Sequence, residues 1–222
     1  MKIDRDKFRS AVCGLNDESI RNMLDDAIGL LPMTKLVKLA GQYLDVNSLK
    51  ASEPSCSALL AEVKAFDKAS RKGDYYESFS VNSKNFMEES GGTRMWNAEC
   101  ERLLDCCVKA GGNATSAEVV DAFEISFALL RRLDEGLDDI IFFADEGGSW
   151  QVGVDWSEVL PVWIACLTAV AEPDDYAQRV VDTVDYFERY DRDKHLKKAT
   201  QKATAEQRKA LAEKISSKKP KK

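Results

Sequence analysis

Carboxylates crowd one stretch of this 222-residue chain, between positions 134 and 158. Eight acidic side chains lie there: Asp134, Glu135, Asp138, Asp139, Asp145, Glu146, Asp155 and Glu158. Paired carboxylates can bind a divalent cation or act as acid and base in a hydrolysis. Their spacing does not follow the calcium-loop pattern of alternating acidic or amide residues around a central glycine. We interpret the cluster as a solvated acidic surface and keep a metal-dependent hydrolase as the alternative function.

Cysteine and histidine are the other residues that could do chemistry. Cys106 and Cys107 are consecutive, so on a helix they point about 100° apart. A nucleophilic cysteine needs a nearby base, and the only histidine is His195, in the charged run "YDRDKHLKK", which favours a solvated surface position. No C-x-x-C pair and no phosphate-binding glycine loop is present. The sequence therefore predicts no catalytic residue, no metal ligand and no cofactor.

Positive charge is concentrated at the C-terminal end. Residues 194–222 contain eleven Lys or Arg and two Glu, a formal charge of +9, so residues 1–193 carry −15 of the total of −6. Such a tail can contact phosphates without sequence preference, or it can solubilise the chain or fold back on the acidic body. The candidate contacts are Lys194, Lys197, Lys198, Lys202, Arg208 and Lys209.

Most of the chain shows the apolar periodicity of amphipathic helices, so helices would position the candidate residues. Asn16 is a predicted N-cap, Gly73 and the Gly111–Gly112 pair are predicted helix ends, and one apolar stripe comprises Val119, Val120, Phe123, Phe127 and Leu130. Short connectors predict an all-α fold of stacked antiparallel helical hairpins, as an irregular bundle or a short solenoid. We expect an N-terminal helical subdomain at 1–50, a main helical domain at 51–193 and a basic, partly disordered helical tail at 194–222.

The segment "IIFFADEGGSWQVGVDW", residues 140–156, departs from the helical pattern. Trp150, Val152, Val154 and Trp156 alternate with small or polar residues, and the alternation predicts a small β-hairpin or extended wedge. Ser157 is then the expected cap of the next helix. The wedge could be a packed connector between helices, which we favour, or an aromatic face that docks a partner. In the second case Trp150, Trp156 and Phe143 would be partner-binding residues.

Three phrases, "KGDYYESFSVNSKNFMEES", "FFADEGGSWQVGVDW" and "YDRDKHL", resemble a family of uncharacterised bacterial all-helical proteins. Similar segments occur in the helical regions of SWIM-type zinc-finger proteins, whose zinc ligands this sequence lacks. The resemblance covers residues 55–195 and implies a helical scaffold in the bacterial cytoplasm. It implies no site residue.

The expected function is that of a non-catalytic interaction or scaffold protein in a multi-subunit assembly. We expect a protein partner, and contact of residues 194–222 with nucleic acid or an acidic partner surface. The N-terminal run "KIDRDKFR" has no apolar core, and the longest apolar run, "VLPVWIACLTAVA", is too short to cross a bilayer. We therefore expect a cytoplasmic protein with no membrane partner, and the sequence does not predict its oligomeric state.

Overall fold

The structure, a computed structural model, describes residues 4–44, 55–136, 139–145 and 147–217, apart from the side chains of residues 33 and 34. The described residues contain ten α-helices, one 3-10 turn and no strand, which confirms the all-α prediction. The helices are α1 (Arg5–Val12), α2 (Asp17–Leu30), α3 (Met33–Ala40), α4 (Cys56–Lys72), α5 (Gly91–Asn113), α6 (Ala117–Asp134), α7 (Trp156–Val170), α8 (Pro173–Phe187), α9 (Arg192–Lys202) and α10 (Ala205–Ser217).

The chain divides into two compact units, Met1–Ser52 and Glu53–Lys222. The first unit contains α1 to α3. Asn16 caps α2 as predicted, since its side chain accepts a hydrogen bond from the backbone N–H of Ser19 at 2.8 Å. No residue of this unit whose side chain is described is buried.

The second unit is a helical bundle built by α4 to α10. Helix α6 lies against α4, α5 and α7, while α8 packs against α9 and α10. The predicted stripe on α6 is confirmed, because all five of its side chains lie in the core. Gly73 ends α4 with a φ of 80°, a left-handed conformation that glycine adopts at little cost.

Helix α5 continues through the glycine pair that the sequence analysis predicted would end it. A Cβ atom built on Gly111 would lie 2.7 Å from Val162 Cγ1 and 2.9 Å from Cys166 Sγ, both on α7. Gly111 is therefore the point where α7 approaches α5 too closely for any larger residue. The helix ends at Asn113 instead.

The predicted β-hairpin at 140–156 is wrong for the described residues of this segment. Ser149–Val152 forms a single 3-10 turn, and Gly153 follows it with a left-handed φ of 72°. Asp155 then caps α7, because its carboxylate accepts a hydrogen bond from the backbone N–H of Ser157 at 2.9 Å. Ser157, the expected cap, lies inside the helix.

The alternation of tryptophan and valine predicted a hairpin that the described residues do not form. Hydrogen bonds within the turn and the helix cap take the place of the inter-strand hydrogen bonds that a hairpin would make. A two-stranded hairpin is barely stable in water, so such local alternatives compete with it easily. Trp156 is the first residue of α7 and half-buried, whereas Trp150 lies in the 3-10 turn and is 72% exposed. The two indoles therefore do not form a common strand face.

The basic C-terminal segment, expected as a partly disordered helical tail, forms helices that pack on the rest of the second unit as far as residue 217. Leu196, Ala199 and Leu211 are buried in the core of the second unit. The hydroxyl of Tyr176 on α8 donates a buried hydrogen bond to the carbonyl oxygen of Ala199 at 2.9 Å. Helices α9 and α10 are thus part of the bundle, while residues 218–222 lie outside the described residues.

Candidate interaction surface around Trp150

Asp134, at the C-terminal end of α6, organises the surface on which Trp150 is exposed. Its Oδ1 accepts a hydrogen bond from the backbone N–H of Ser149 at 2.7 Å, and its Oδ2 accepts one from the Ser149 hydroxyl at 2.9 Å. The Tyr186 hydroxyl on α8 donates a third bond to Oδ2, also at 2.9 Å. One carboxylate therefore ties the 3-10 turn to two helices.

The environment of Tyr186 keeps this network intact at ordinary pH. Partial burial first, and then the hydrogen bond and charge of Asp134, raise the pKa of Tyr186 to about 12. The phenol remains protonated and can continue to donate to the carboxylate. The guanidinium of Arg131 lies over the Tyr186 ring, 5.3 Å from its centroid, and supports its position by a cation–π contact.

Trp150 follows this anchored serine and is 72% exposed, whereas Trp96 and Trp163 are completely buried. A Cβ atom on Gly148 would lie 2.8 Å from Asp134 Oδ1 and 3.2 Å from Trp150 Cδ1. A side chain at position 148 would therefore displace the carboxylate or the indole from its present position. An exposed tryptophan on a braced turn is the type of side chain that anchors protein interfaces.

The other two aromatic candidates, Trp156 and Phe143, pack against side chains of the second unit. Trp156 stacks on Phe187, with ring centroids 4.3 Å apart and planes inclined by 21°, and it also contacts Phe127. Phe143 is half-buried against the hydrophobic core. In the described structure, Trp156 and Phe143 support the surface that presents Trp150.

Ser149 and Tyr186 were not predicted from the sequence as functional residues, and Asp134 was interpreted as part of a solvated cluster. The hydrogen bonds that join them connect residues 15 and 52 positions apart in the chain. No local spacing signals such a contact. The 3-10 turn reaches α6 through Ser149, and α8 reaches it through Tyr186, so tertiary contacts bring the three side chains together.

Three of the other described carboxylates of the 134–158 segment, Glu135, Asp139 and Asp155, also have structural partners. Asp139 pairs with Arg132, and hydrogen bonds from Ser157 are the main cause that lowers the pKa of the capping Asp155. Among the described residues, no group of three His, Cys, Asp or Glu side chains is arranged to hold a metal ion. Asp138 and Glu146 lie outside the described residues.

A shallow pocket of about 60 Å³ between α5 and the start of α7 is rimmed by acidic side chains. Its apolar lining includes Leu104 and Val159, and four carboxylates surround it: Glu101, Asp105, Asp155 and Glu158. This distribution gives the bundle an acidic, partly apolar surface that is suited to cationic side chains.

His195 is not on the surface, where the sequence analysis placed it, but completely buried in α9. Neither ring nitrogen has a hydrogen-bond partner among the described residues. Burial is the main cause that lowers the pKa of His195 below its ordinary value. Burial also raises the pKa of Cys107 to about 12, which keeps that thiol protonated and unreactive.

The basic candidates on α9 and α10 fall into two groups. Three have partners within the chain: Lys194 pairs with Asp191 at 2.6 Å, Lys202 donates to the carbonyl oxygen of Pro161 at 3.3 Å, and Arg208 donates to that of Ala203 at 3.0 Å. The other three make no hydrogen bond or ion pair within the described part of the chain: Lys197, Lys198 and Lys209. Among the six candidates, these three have charges that the described part of the chain leaves available to a partner.

Within the described ranges, no helix is both long enough and apolar enough to cross a membrane. No protein family, no curated protein and no solved structure matches this chain. The site must therefore be interpreted from its own chemistry.

Proposed function

We propose that this chain is a non-catalytic helical interaction protein and a component of a larger cytoplasmic assembly. Its second unit binds a protein partner through the Trp150 surface, which consists of Trp150 with the Asp134, Ser149 and Tyr186 network beneath it. The observation that carries the proposal is the combination of a 72% exposed indole with a turn that two hydrogen bonds hold to Asp134, whose carboxylate accepts a third from Tyr186.

The energetics of protein association favour this interpretation. Exposing a large indole to water is unfavourable, and burying it at an interface contributes on the order of 2 kcal/mol or more to binding. Because the turn is already held by Asp134, little conformational entropy is lost when a partner covers Trp150. The acidic surface near α5 and α7 adds a preference for a partner that carries cationic side chains.

The lysines of α9 and α10 that the described part of the chain leaves unpaired would contribute a second contact, to an acidic partner surface or to nucleic acid. Lys197, Lys198 and Lys209 are the residues that support this part of the proposal. Deletion of residues 194–222 cannot test it, since the deletion would remove core side chains such as Leu211. Substitution of Lys197 and Lys209 by Gln changes the charge and retains the bundle.

A quantitative pull-down from the cells that express this protein tests the proposal, with wild type, Trp150→Ala and Tyr190→Ala as baits. Tyr190 is a matched control, because it is completely exposed and makes no ring contact with Trp150. We expect the Trp150→Ala bait to recover at least tenfold less of a specific partner than wild type does. The Tyr190→Ala bait should recover as much of it as wild type. Equal recovery of all proteins by the three baits would contradict the proposal.

A further inference from the structure

For its length, the first unit, α1 to α3, exposes far more large hydrophobic side chains than the rest of the described chain. Nine of its large hydrophobic side chains are exposed, as many as in the four-times-longer described part of the second unit. They are Phe8, Leu15, Leu24, Ile28, Leu30, Val37, Leu39, Tyr43 and Leu44. Single exposed hydrophobic residues are normal on a surface, but such a density marks an interaction site.

Helices α2 and α3 gain almost no stability from packing within their own unit. None of the three N-terminal helices packs extensively against another, and they contain only 8, 14 and 8 residues. Isolated helices of this length are marginal in water, since most helix stability in proteins comes from burial of an apolar face. On α2 that face is regular, with Ile20, Met23, Leu24, Ala27 and Ile28 at helical spacing.

The charges on α2 and α3 indicate what covers these faces. Helix α2 contains four acidic residues and one arginine, whereas α3 contains Lys35 and Lys38 and no acidic residue. None of these charged groups forms an ion pair among the described residues; the ion pair described in this unit is Arg9 with Asp6, on α1. The unit therefore has one acidic and one basic amphipathic helix with unused charges.

We propose that a second copy of this chain covers these faces, with α2 of one copy packed against α3 of the other. In a dimer with twofold symmetry each contact occurs twice, so each acidic α2 meets a basic α3. Residues 4–44 contain six cationic and six acidic side chains, which makes the unit electrically self-complementary. Five of the nine exposed side chains lie on α2 or α3: Leu24, Ile28, Leu30, Val37 and Leu39. They would form the apolar centre of an interface, and stable dimers bury about 800 Å² per partner.

A lipid surface fits these helices less well. Helices that lie at membrane surfaces carry Lys and Arg on their polar face, which anionic lipids attract. The polar residues of α2 are mostly acidic, with Asp17, Glu18, Asp25 and Asp26 against Arg21. The proposed dimer does not depend on the Trp150 surface, which belongs to the second unit.

Sedimentation velocity of the full chain between about 1 and 100 µM tests the dimer, because a dissociation constant in the micromolar range, about −8 kcal/mol, would change the monomer–dimer ratio across it. We expect a species of twice the 24.8 kDa chain mass. The double substitution Leu24→Asp with Ile28→Asp should weaken the dimer at least tenfold, whereas Met87→Asp, at an even more exposed hydrophobic site of the second unit, should not. A wild-type chain that stays monomeric, or a dimer that survives the double substitution, would overturn the proposal.

Charge reversal distinguishes the proposed pairing from any other apolar association. Asp25→Lys with Asp26→Lys makes α2 cationic beside a cationic α3, and Lys35→Glu with Lys38→Glu makes both helices acidic. Each variant alone should dimerise at least tenfold more weakly, because like charges meet in both contacts. Mixed together, the two variants should form a heterodimer, since each α2 then meets an α3 of opposite charge. If the mixture stays as dissociated as its components, the proposed pairing is wrong.

Discussion

The side-chain amide of Gln207 on α10 lies 2.9 Å from the carbonyl oxygen of Ala171, at the end of α7, and donates a hydrogen bond to it. The same Nε2 donates to the carbonyl oxygen of Thr168 at 3.0 Å. Gln207 Oε1 accepts from the backbone N–H of Thr204, whose hydroxyl accepts from the N–H of Gln207. A capping box that starts α10 thus also satisfies carbonyl groups at the end of α7.

Replacement of Gln207 by Leu should lower the free energy of unfolding of the second unit by about 2 kcal/mol, because two part-buried carbonyl groups lose their donor. Urea denaturation followed by circular dichroism measures this loss. Gln201→Leu, at an exposed position of α9, is the control and should change stability by less than about 0.5 kcal/mol. Equal stability of the two variants would mean that Gln207 does not hold α10 to α7.

Two adjacent glycines of α5 should respond in opposite directions to the same substitution. Gly111→Ala should destabilise the second unit by about 1–3 kcal/mol, since its Cβ would collide with Val162 and Cys166 of α7. Gly112 has no neighbouring atom within 4 Å of such a Cβ, so Gly112→Ala should stabilise it by about 0.5–1 kcal/mol. Thermal unfolding of both variants decides the matter. A stabilising Gly111→Ala would contradict the close approach of α5 and α7.

This pair also shows where sequence reasoning succeeded and where it failed. Glycine after an apolar stripe predicted the end of α4 correctly at Gly73, because the helix there needs a left-handed residue. The same signal was wrong at Gly111, where glycine serves a contact with a helix about 50 residues further along the chain. Residues close in sequence determine helix caps and the apolar faces of helices. The close approach of two helices depends on residues far apart in the chain, so no short stretch of sequence predicts it.

The candidate site divides in the same way. Trp150 was recognisable from the sequence as an unusual aromatic residue in a glycine-rich segment. The sequence did not predict that Trp150 is exposed while Trp156, the first residue of α7, is half-buried. Charge counting indicated a solvated tail at residues 194–222, since Lys and Arg dominate it. The four buried side chains Leu196, Ala199, Ala203 and Leu211 were enough to place most of that tail in the bundle.

Buried His195 should make the stability of the second unit depend on pH. Burial lowers its pKa in the folded state below the ordinary 6.5, so the unfolded chain binds the proton more tightly. Stability is therefore complete above pH about 6.5 and falls as the pH decreases towards the folded-state pKa. The charged groups that act on the ring are Glu188, Asp191, Lys194 and Lys198.

The difference in unfolding free energy between wild type and His195→Leu isolates this effect, since all other titrating groups are shared. We expect that difference to shift in favour of the variant as the pH falls from about 7.5 to about 5.5, the range in which histidine titrates. Urea denaturation at five pH values provides the data. A constant difference would show that His195 binds protons equally in both states.

The two tryptophans of the 140–156 segment should separate stability from binding. Trp156→Ala removes the stacking on Phe187 and the contact with Phe127, and should lower the free energy of unfolding by about 2–3 kcal/mol. Trp150→Ala removes an exposed side chain and should change it by less than about 0.5 kcal/mol. Differential scanning calorimetry of the two variants checks both values. A large loss with Trp150→Ala would mean that the indole packs against this chain.

The central claim is that a protein partner covers Trp150, and site-specific crosslinking in the expressing cells tests it most directly. A photo-reactive phenylalanine analogue would replace Trp150, and in a control chain it would replace the fully exposed Tyr190. The account predicts one dominant covalent adduct with a different protein at position 150, absent at position 190 and lost when Asp134→Ala releases the turn. Adducts of equal yield and identity at both positions would contradict it.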